Sequence, residues 1–174
     1  MPEPERLAKE VVEGLRIRGK TIAAAESCTA GLAADFIARI PGASNVLWGS
    51  FVSYTADAKI KMLGVSKELI EKYGEVSRPV ALAMAEGALE RSSAFWAFSV
   101  TGLAGPGGDS SGTPVGTIWI GVAGRDGKTS GPLRSEAKKF FFKGNRNEVR
   151  EAAAIAALSE LLKRIKKRID NEED

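Results

Sequence analysis

The sequence predicts an α/β fold, a three-layer α/β/α arrangement around one mixed parallel and antiparallel sheet, in a single domain. Three observations predict it. Helical and strand patterns alternate through the first hundred residues, the order that produces parallel strands joined by crossover helices. The last two strand patterns are separated by little more than Gly124-Arg125-Asp126-Gly127, a connection short enough to demand antiparallel pairing. At 174 residues, with no internal repeat and no long linker, the chain has the size of one core-forming domain. That domain is expected over residues 1–169, followed by an acidic tail over 170–174.

The elements follow in order. A first helix is expected from Glu5 to Arg18, with Leu7, Val11, Val12 and Leu15 on one stripe and Gly19 as its stop. Thr21 to Ala25 reads as a short buried strand. Cys28 to Ile40 reads as a helix closed by Pro41-Gly42. Val46 to Tyr54 is a second strand, with a bulge or close backbone approach expected at Gly49. Asp57 to Leu63 suits a short helix ended by Gly64, and Ser66 caps another through Tyr73. Ser77-Arg78-Pro79 opens a longer helix to Ser92, with proline tolerated in its first turn. Ala94 to Thr101 is the third strand, Gly102 to Pro114 a loop, and Val115 to Ala123 the fourth strand. A further strand is expected around Ser135 to Phe142. The last helix spans Arg146 to Ile169, burying Val149, Ala152, Ala153, Ala156, Leu161, Leu162, Ile165 and Ile169.

Composition excludes several kinds of chemistry. Hydrophobic residues make up 44% and charged residues 27%, with a net charge of +3, which is ordinary for a globular domain. Lys163, Arg164, Lys166, Lys167 and Arg168 are read as cations at a helix C-terminus with a solvated face, and no nucleic-acid partner is expected. No apolar run is long enough to cross a bilayer, the first residues lack an apolar signal core, and Cys28 is the one cysteine. A cytoplasmic location is the expectation, with no membrane partner. The chain contains no histidine. A Ser-His-Asp triad and a Cys-His pair are therefore impossible, and no metal site is expected.

Ser27 falls at a strand-to-helix junction in Ala25-Glu26-Ser27-Cys28-Thr29-Ala30-Gly31. Serine or threonine at such a place is commonly just an N-cap, and either Ser27 or Thr29 suits that part. The functional alternative is a nucleophile: N–H groups at a helix start can hold an oxyanion, and small neighbours let a substrate approach the backbone. Cys28 is a rival nucleophile. Lys59 lies one turn into the helix after Tyr54, where burial would favour a neutral amine able to take a proton from Ser27. Tyr54 could relay that proton or orient the lysine; Lys61 should point nearly opposite. After the third strand, Thr101-Gly102-Leu103-Ala104-Gly105-Pro106-Gly107-Gly108 could present backbone N–H groups to a phosphate. If the first and third strands are parallel, Ser27 and Thr101 share the edge where α/β proteins bind ligands. Arg146, a cation set at a helix N-terminus, makes sense facing an anion. Candidate substrate contacts are thus Thr29, Gly31, Thr101, Gly102, Gly105, Gly107 and Arg146.

Four stretches together resemble the CinA C-terminal family, the nicotinamide-mononucleotide deamidases. They are residues 25–31, Pro41-Gly42-Ala43-Ser44, Tyr54-Thr55-Ala56-Asp57-Ala58-Lys59 with Leu63-Gly64-Val65, and Val100 to Gly108 running on to Pro114-Val115-Gly116-Thr117. The likeness runs from the first helix to Arg146 and is to the stand-alone form, without the additional N-terminal domain of longer relatives. It implies hydrolysis of the carboxamide of nicotinamide mononucleotide to nicotinate mononucleotide and ammonia, as in pyridine nucleotide salvage. No metal or organic cofactor is implied. Ser27 matches the family's nucleophile, Tyr54 and Lys59 its tyrosine and lysine, and Arg146 a ligand-contacting arginine. The resemblance also suggests a homo-oligomer, a dimer. A nucleotide-binding regulatory module of the competence/damage-inducible type, without catalysis, stays open, as does an amidase or esterase for another substrate. Two departures bear on substrate choice: Ala30 stands where the family commonly has glycine, and Thr55-Ala56 where it often has Ser-Asn. Ala30 should be tolerated if its position is helical.

Overall fold

The structure, a computed structural model, describes residues 3–125 and 131–169. Five strands form one sheet in the order β2-β1-β3-β4-β5, where β1 is Ile22–Glu26, β2 Leu47–Val52, β3 Trp96–Gly102, β4 Thr117–Arg125 and β5 Leu133–Phe141. β1 pairs parallel with both β2 and β3, while β3–β4 and β4–β5 are antiparallel. The mixed sheet, its parallel half and its late hairpin are as the sequence predicts. Asp126 and Gly127 of the expected turn lie outside the described residues, and Gly124 and Arg125 belong to β4.

Side-chain size sorts the helices between the two faces. Ile22 and Ala24 of β1, Trp96, Phe98 and Val100 of β3, and Ile118, Ile120 and Val122 of β4 share one core. Against them pack α1 (Glu3–Ile17), α2 (Leu32–Ala38) and α6 (Arg146–Ile169). The opposite face carries Ala23, Ala25, Ala97 and Ala123, joined by Ser99 and Gly121. On that smooth face lies α5 (Arg78–Glu90), so close that Ser99 Oγ donates to Ala81 O at 2.6 Å. The short helices α3 (Ala56–Leu63) and α4 (Lys67–Tyr73) lean mainly on α5, with α3 also touching β2 at the sheet edge. Strand periodicity puts alternate residues on opposite faces, so the large-small alternation is what produces three layers.

Helix ends follow local chemistry. At the end of α1, Gly19 takes φ 58 and the Lys20 and Gly19 N–H groups return to Leu15 O and Arg16 O, a Schellman closure. Thr55, Ser66 and Ser77 each cap α3, α4 and α5 through a side-chain oxygen.

Three expectations need correction. The helix after Ser27 begins at Leu32, not Cys28. Ala30 has φ 52 and Gly31 φ 95, and two consecutive left-handed residues cannot continue a helix. Ala30 is therefore not helical. Neither Ser27 nor Thr29 caps α2; its N-cap is Gly31, without a side-chain cap bond. Third, α6 buries a broader face than a single stripe. Ala154, Ala157 and Leu158 are buried, while Ala152 and Ala156 are half-buried, because α6 packs on α1 and α2 as well as the sheet.

In β2 the register skips a residue between the Ile22–Leu47 and Ala23–Gly49 pairs, next to Gly49 as expected. The basic cluster of α6 is largely paired: Lys163 with Glu160, Arg164 with Glu136 and Lys166 with Glu10. The side chains of Lys167, Arg168 and Ile169, and the tail 170–174, lie outside the described residues. Among the described residues no helix is long and apolar enough to cross a membrane.

Candidate active site

The parallel pairing of β1 with β3 brings the ends of both strands to one edge. Ser27 follows β1 directly, and its N–H continues the ladder to Val100 O at 2.9 Å. On the other side, Ser53 N–H bonds Glu26 O and carries the chain from β2 into Tyr54. A cleft of about 230 Å³ opens there, lined by Ser27, Cys28, Tyr54, Lys59, Glu75 and Arg146 together with Thr101, Gly102, Gly105, Gly107 and Asp109 of the loop after β3. Such an edge, beyond the carboxyl ends of parallel strands, is where open α/β sheets take ligands.

Lys59 is 1% exposed, and its Nζ donates to Ser27 Oγ at 3.1 Å. It also reaches Ser53 O at 3.3 Å, Tyr54 O at 3.5 Å and Glu75 Oε2 at 2.8 Å. Lys61, two residues on, points outward and pairs with Asp57. The helix α3 explains the selection: its Thr55 cap and its Gly64 stop fix one short rod, and Lys59 and Leu63 form its buried side. Ser27 Oγ donates to Tyr54 O at 3.4 Å. A hydroxyl and an amine within hydrogen-bonding reach, screened from bulk water, form the pair that Ser–Lys nucleophilic chemistry requires.

Sequence reasoning missed Glu75. It lies in the connection between α4 and α5, and its backbone carbonyl is held by Thr101 Oγ1 at 2.9 Å. An ammonium buried this deeply needs an opposite charge, so the search signal was the burial of Lys59 itself. Nothing local to Glu75 carried it.

Tyr54 is divided in its contacts. Its carbonyl belongs to the serine–lysine cluster, whereas its hydroxyl accepts from Arg146 Nη2 at 2.5 Å. No hydrogen bond links that hydroxyl to Ser27 or Lys59 among the described residues. Arg146 also donates to Gly105 O at 2.5 Å, tying the glycine loop to the first turn of α6. Thr101, Gly102, Gly105, Gly107 and Arg146 thus meet at the cleft. Thr29 and Gly31 do not line it: Thr29 is fully buried, and the Gly31 N–H is taken by Glu26 Oε2 at 3.0 Å.

Glu26 is the second residue that sequence reasoning passed over. It is fully buried, and its carboxylate accepts from the N–H groups of Gly31, Ala33 and Ala34 at 2.9–3.1 Å, with Ser50 Oγ at 3.5 Å. The start of α2 is therefore occupied by a carboxylate from within the chain, not open to an oxyanion. The rival nucleophile fares poorly as well. Burial pushes the Cys28 thiol up to about 11, with Glu26 adding to the effect, so little thiolate exists near neutral pH.

These features define an α/β protein with a cleft at the carboxyl edge of its parallel strands, where a buried serine and lysine meet a half-exposed glutamate. The model of the CinA C-terminal domain matches residues 4–165, and the chain belongs to that family. A relative from Symbiobacterium thermophilum, named for competence-damage induction, is 45% identical over 159 residues, covering 90% of this chain and 37% of its own. The chain thus spans little more than a third of the length of the curated relatives it matches. Among solved structures, the competence/damage inducible protein CihA from Agrobacterium tumefaciens is similar at TM-score 0.84 and 40% identity, over 93% of this chain and 95% of its own. The competence damage-inducible protein A from Klebsiella pneumoniae is similar at TM-score 0.87 and 29% identity, over 94% and 97%.

Proposed function

We propose that this domain is an amidohydrolase that converts nicotinamide mononucleotide to nicotinate mononucleotide and ammonia, with Ser27 as nucleophile and Lys59 as its base. The observation that carries the reading is the 3.1 Å contact between Lys59 Nζ and Ser27 Oγ in a chain without histidine. Once a proton has left the Lys59 ammonium, for which Glu75 Oε2 at 2.8 Å is the nearest acceptor, its lone pair can take the Ser27 proton. Ser27 Oγ then attacks the carboxamide carbon, and backbone N–H groups hold the oxyanion. Lys59 returns the proton to the departing nitrogen, ammonia leaves, and water hydrolyses the acyl-enzyme by the same base. Arg146 and the glycine loop are assigned to the phosphate, with Tyr54 holding Arg146 through its hydroxyl and the dyad through its carbonyl. The choice of substrate rests on the family resemblance; the acyl-transfer class rests on the geometry.

The test is ammonia release from the mononucleotide by purified protein, with free nicotinamide as the comparison substrate. Ser27→Ala and Lys59→Ala should each lower the rate by at least about a thousandfold, as loss of a nucleophile or its base does. Full activity in either variant sinks the mechanism.

One observation favours a second reading, a nucleotide-binding regulatory module without turnover. Lys59 rests among four oxygen acceptors, and the Ser27 hydroxyl donates to a carbonyl rather than to the amine, which is a resting arrangement. Tight binding of the mononucleotide with no ammonia release supports that reading. A homodimer is also proposed, and sedimentation at micromolar protein tests it.

A further inference from the structure

We infer that Arg150 is a positioning residue for the oxyanion-binding backbone next to Ser27. The inference rests on the acyl-transfer reading of that serine. Two successive peptide planes follow Ser27, and each is anchored by its carbonyl end. Ser27 O accepts the Ala30 N–H at 3.0 Å. Cys28 O accepts Arg150 Nε at 3.0 Å, and Arg150 Nη2 also holds Thr29 O at 3.1 Å. A trans peptide points its N–H opposite to its C=O. Holding Thr29 O therefore aims the Ala30 N–H at Ser27 O, and anchoring Ser27 O in turn aims the N–H of Cys28, a residue that lines the cleft. Among the described residues the Cys28 N–H has no acceptor beyond its own thiol, in a segment where the neighbouring donors of Ser27, Ala30, Gly31 and Leu32 are all engaged.

The clamp comes from far away in the chain. Arg150 is one turn beyond Arg146 on α6, and 122 residues from Cys28. Asn147 Oδ1 accepts from its Nη1 at 3.3 Å and steadies the guanidinium. A planar fork is suited to holding two adjacent carbonyls in one fixed orientation, which a lysine's single rotating ammonium does not reproduce. The turn needs such a hold, because Ala30 sits at φ 52 without being glycine and would relax if released. One face of α6 thus serves two ends of the substrate: Arg146 reaches the cleft, and Arg150 braces the turn from behind it.

The experiment compares Arg150→Met and Arg150→Lys with the wild type in three measurements. These are kcat and KM for ammonia release from the mononucleotide, the rate at which a fluorophosphonate probe labels Ser27, and the thermal midpoint. Misaligned oxyanion donors should lower kcat by about tenfold to a hundredfold, somewhat less than outright loss of a donor, with KM within about twofold. Labelling should slow by a similar factor, since the phosphonyl oxygen uses the same donors. Arg150→Lys should fall between the wild type and Arg150→Met, and added guanidinium ion should restore part of the rate to Arg150→Ala. If Arg150→Met does not fold, Arg150→Lys is judged by the same criteria. Wild-type kcat and labelling in a folded variant, or a loss confined to KM, overturns the inference. A wild type that labels but releases no ammonia from the mononucleotide refutes that substrate while the labelling rates still decide the role of Arg150. A wild type that does neither overturns the acyl-transfer reading and this inference with it.

Discussion

Lys59 is among the largest side chains buried completely in the described residues, and four oxygen atoms surround its Nζ. Burying an amine is costly unless its charge is met, so the fold supplies Glu75, itself positioned by Thr101. Tyr54 shows how one residue can serve a site in two ways. Its carbonyl touches the dyad while its hydroxyl binds Arg146, so Tyr54→Phe should raise KM for the mononucleotide severalfold and leave kcat within about threefold, the pattern of lost binding rather than lost chemistry. A kcat fall of more than about tenfold with KM unchanged would instead give the hydroxyl a proton-relay role. Cys28 makes a prediction about stability. Its folded value of about 11 lies above the ordinary 9.0, so between these the unfolded chain gives up a proton that the folded chain keeps. Stability should therefore fall as pH rises from about 9 to 11, by about 2–3 kcal/mol in all. Denaturant titration across that range checks it, and Cys28→Ala should flatten this part of the decline.

The junction between β1 and α2 is where local pattern misleads. Small and polar residues from Cys28 to Gly31 look like the first turn of a helix, yet the chain spends them on a left-handed turn. Glu26 closes off the helix start from the last position of the strand, with three N–H groups on one carboxylate. A capping oxygen five to eight residues before its donors has no sequence signature, unlike Thr55, Ser66 and Ser77, each three residues before the donor it satisfies. The turn itself is strained at Ala30, since a Cβ in the left-handed region costs roughly 1–2 kcal/mol. Ala30→Gly should consequently stabilise the protein by about 0.5–1 kcal/mol, after the extra freedom of the unfolded glycine is set against the relief. Chemical denaturation measures it, and a destabilised variant would contradict the strain. Arg150 should keep the turn in place in that variant, so the rate of Ser27 labelling should stay within about twofold of the wild type.

Across the whole molecule, the site depends on a sheet whose two faces are unlike. The alanine, serine and glycine face allows α5 to lie almost on the strands. A Cβ added at Gly121 would come within 2.6 Å of both Ala81 O and Ser99 Oγ. Gly121→Ala should then push α5 outward and break the Ser99–Ala81 hydrogen bond, at a cost of about 1–3 kcal/mol, as overpacking does elsewhere. Because α3 and α4 rest on α5, and Lys59 and Glu75 come from that layer, activity should fall along with the thermal midpoint. A variant with unchanged stability would mean that the layers have more freedom than their spacing indicates.

Much of this was legible in the chain alone. Apolar runs, helical stripes and cap residues located the five strands and six α-helices, apart from the start of α2, because burial and capping are local demands that sequence spacing records. The absence of histidine, together with Ser27 and Lys59 at the starts of elements, named the pair before any distance was known. The family resemblance joined the segments in order. Other features were decided only by tertiary structure: the carboxylate that meets the lysine, the one that closes the start of α2, and the arginine that clamps the turn. Glu75 is 16 residues from Lys59, and Arg150 is 122 from Cys28. Neither spacing repeats with a helix or strand period, so no local pattern can report it. A buried charge or a bent peptide requires a partner from whichever element happens to pack there, and packing, unlike periodicity, is settled only when the whole sheet has closed.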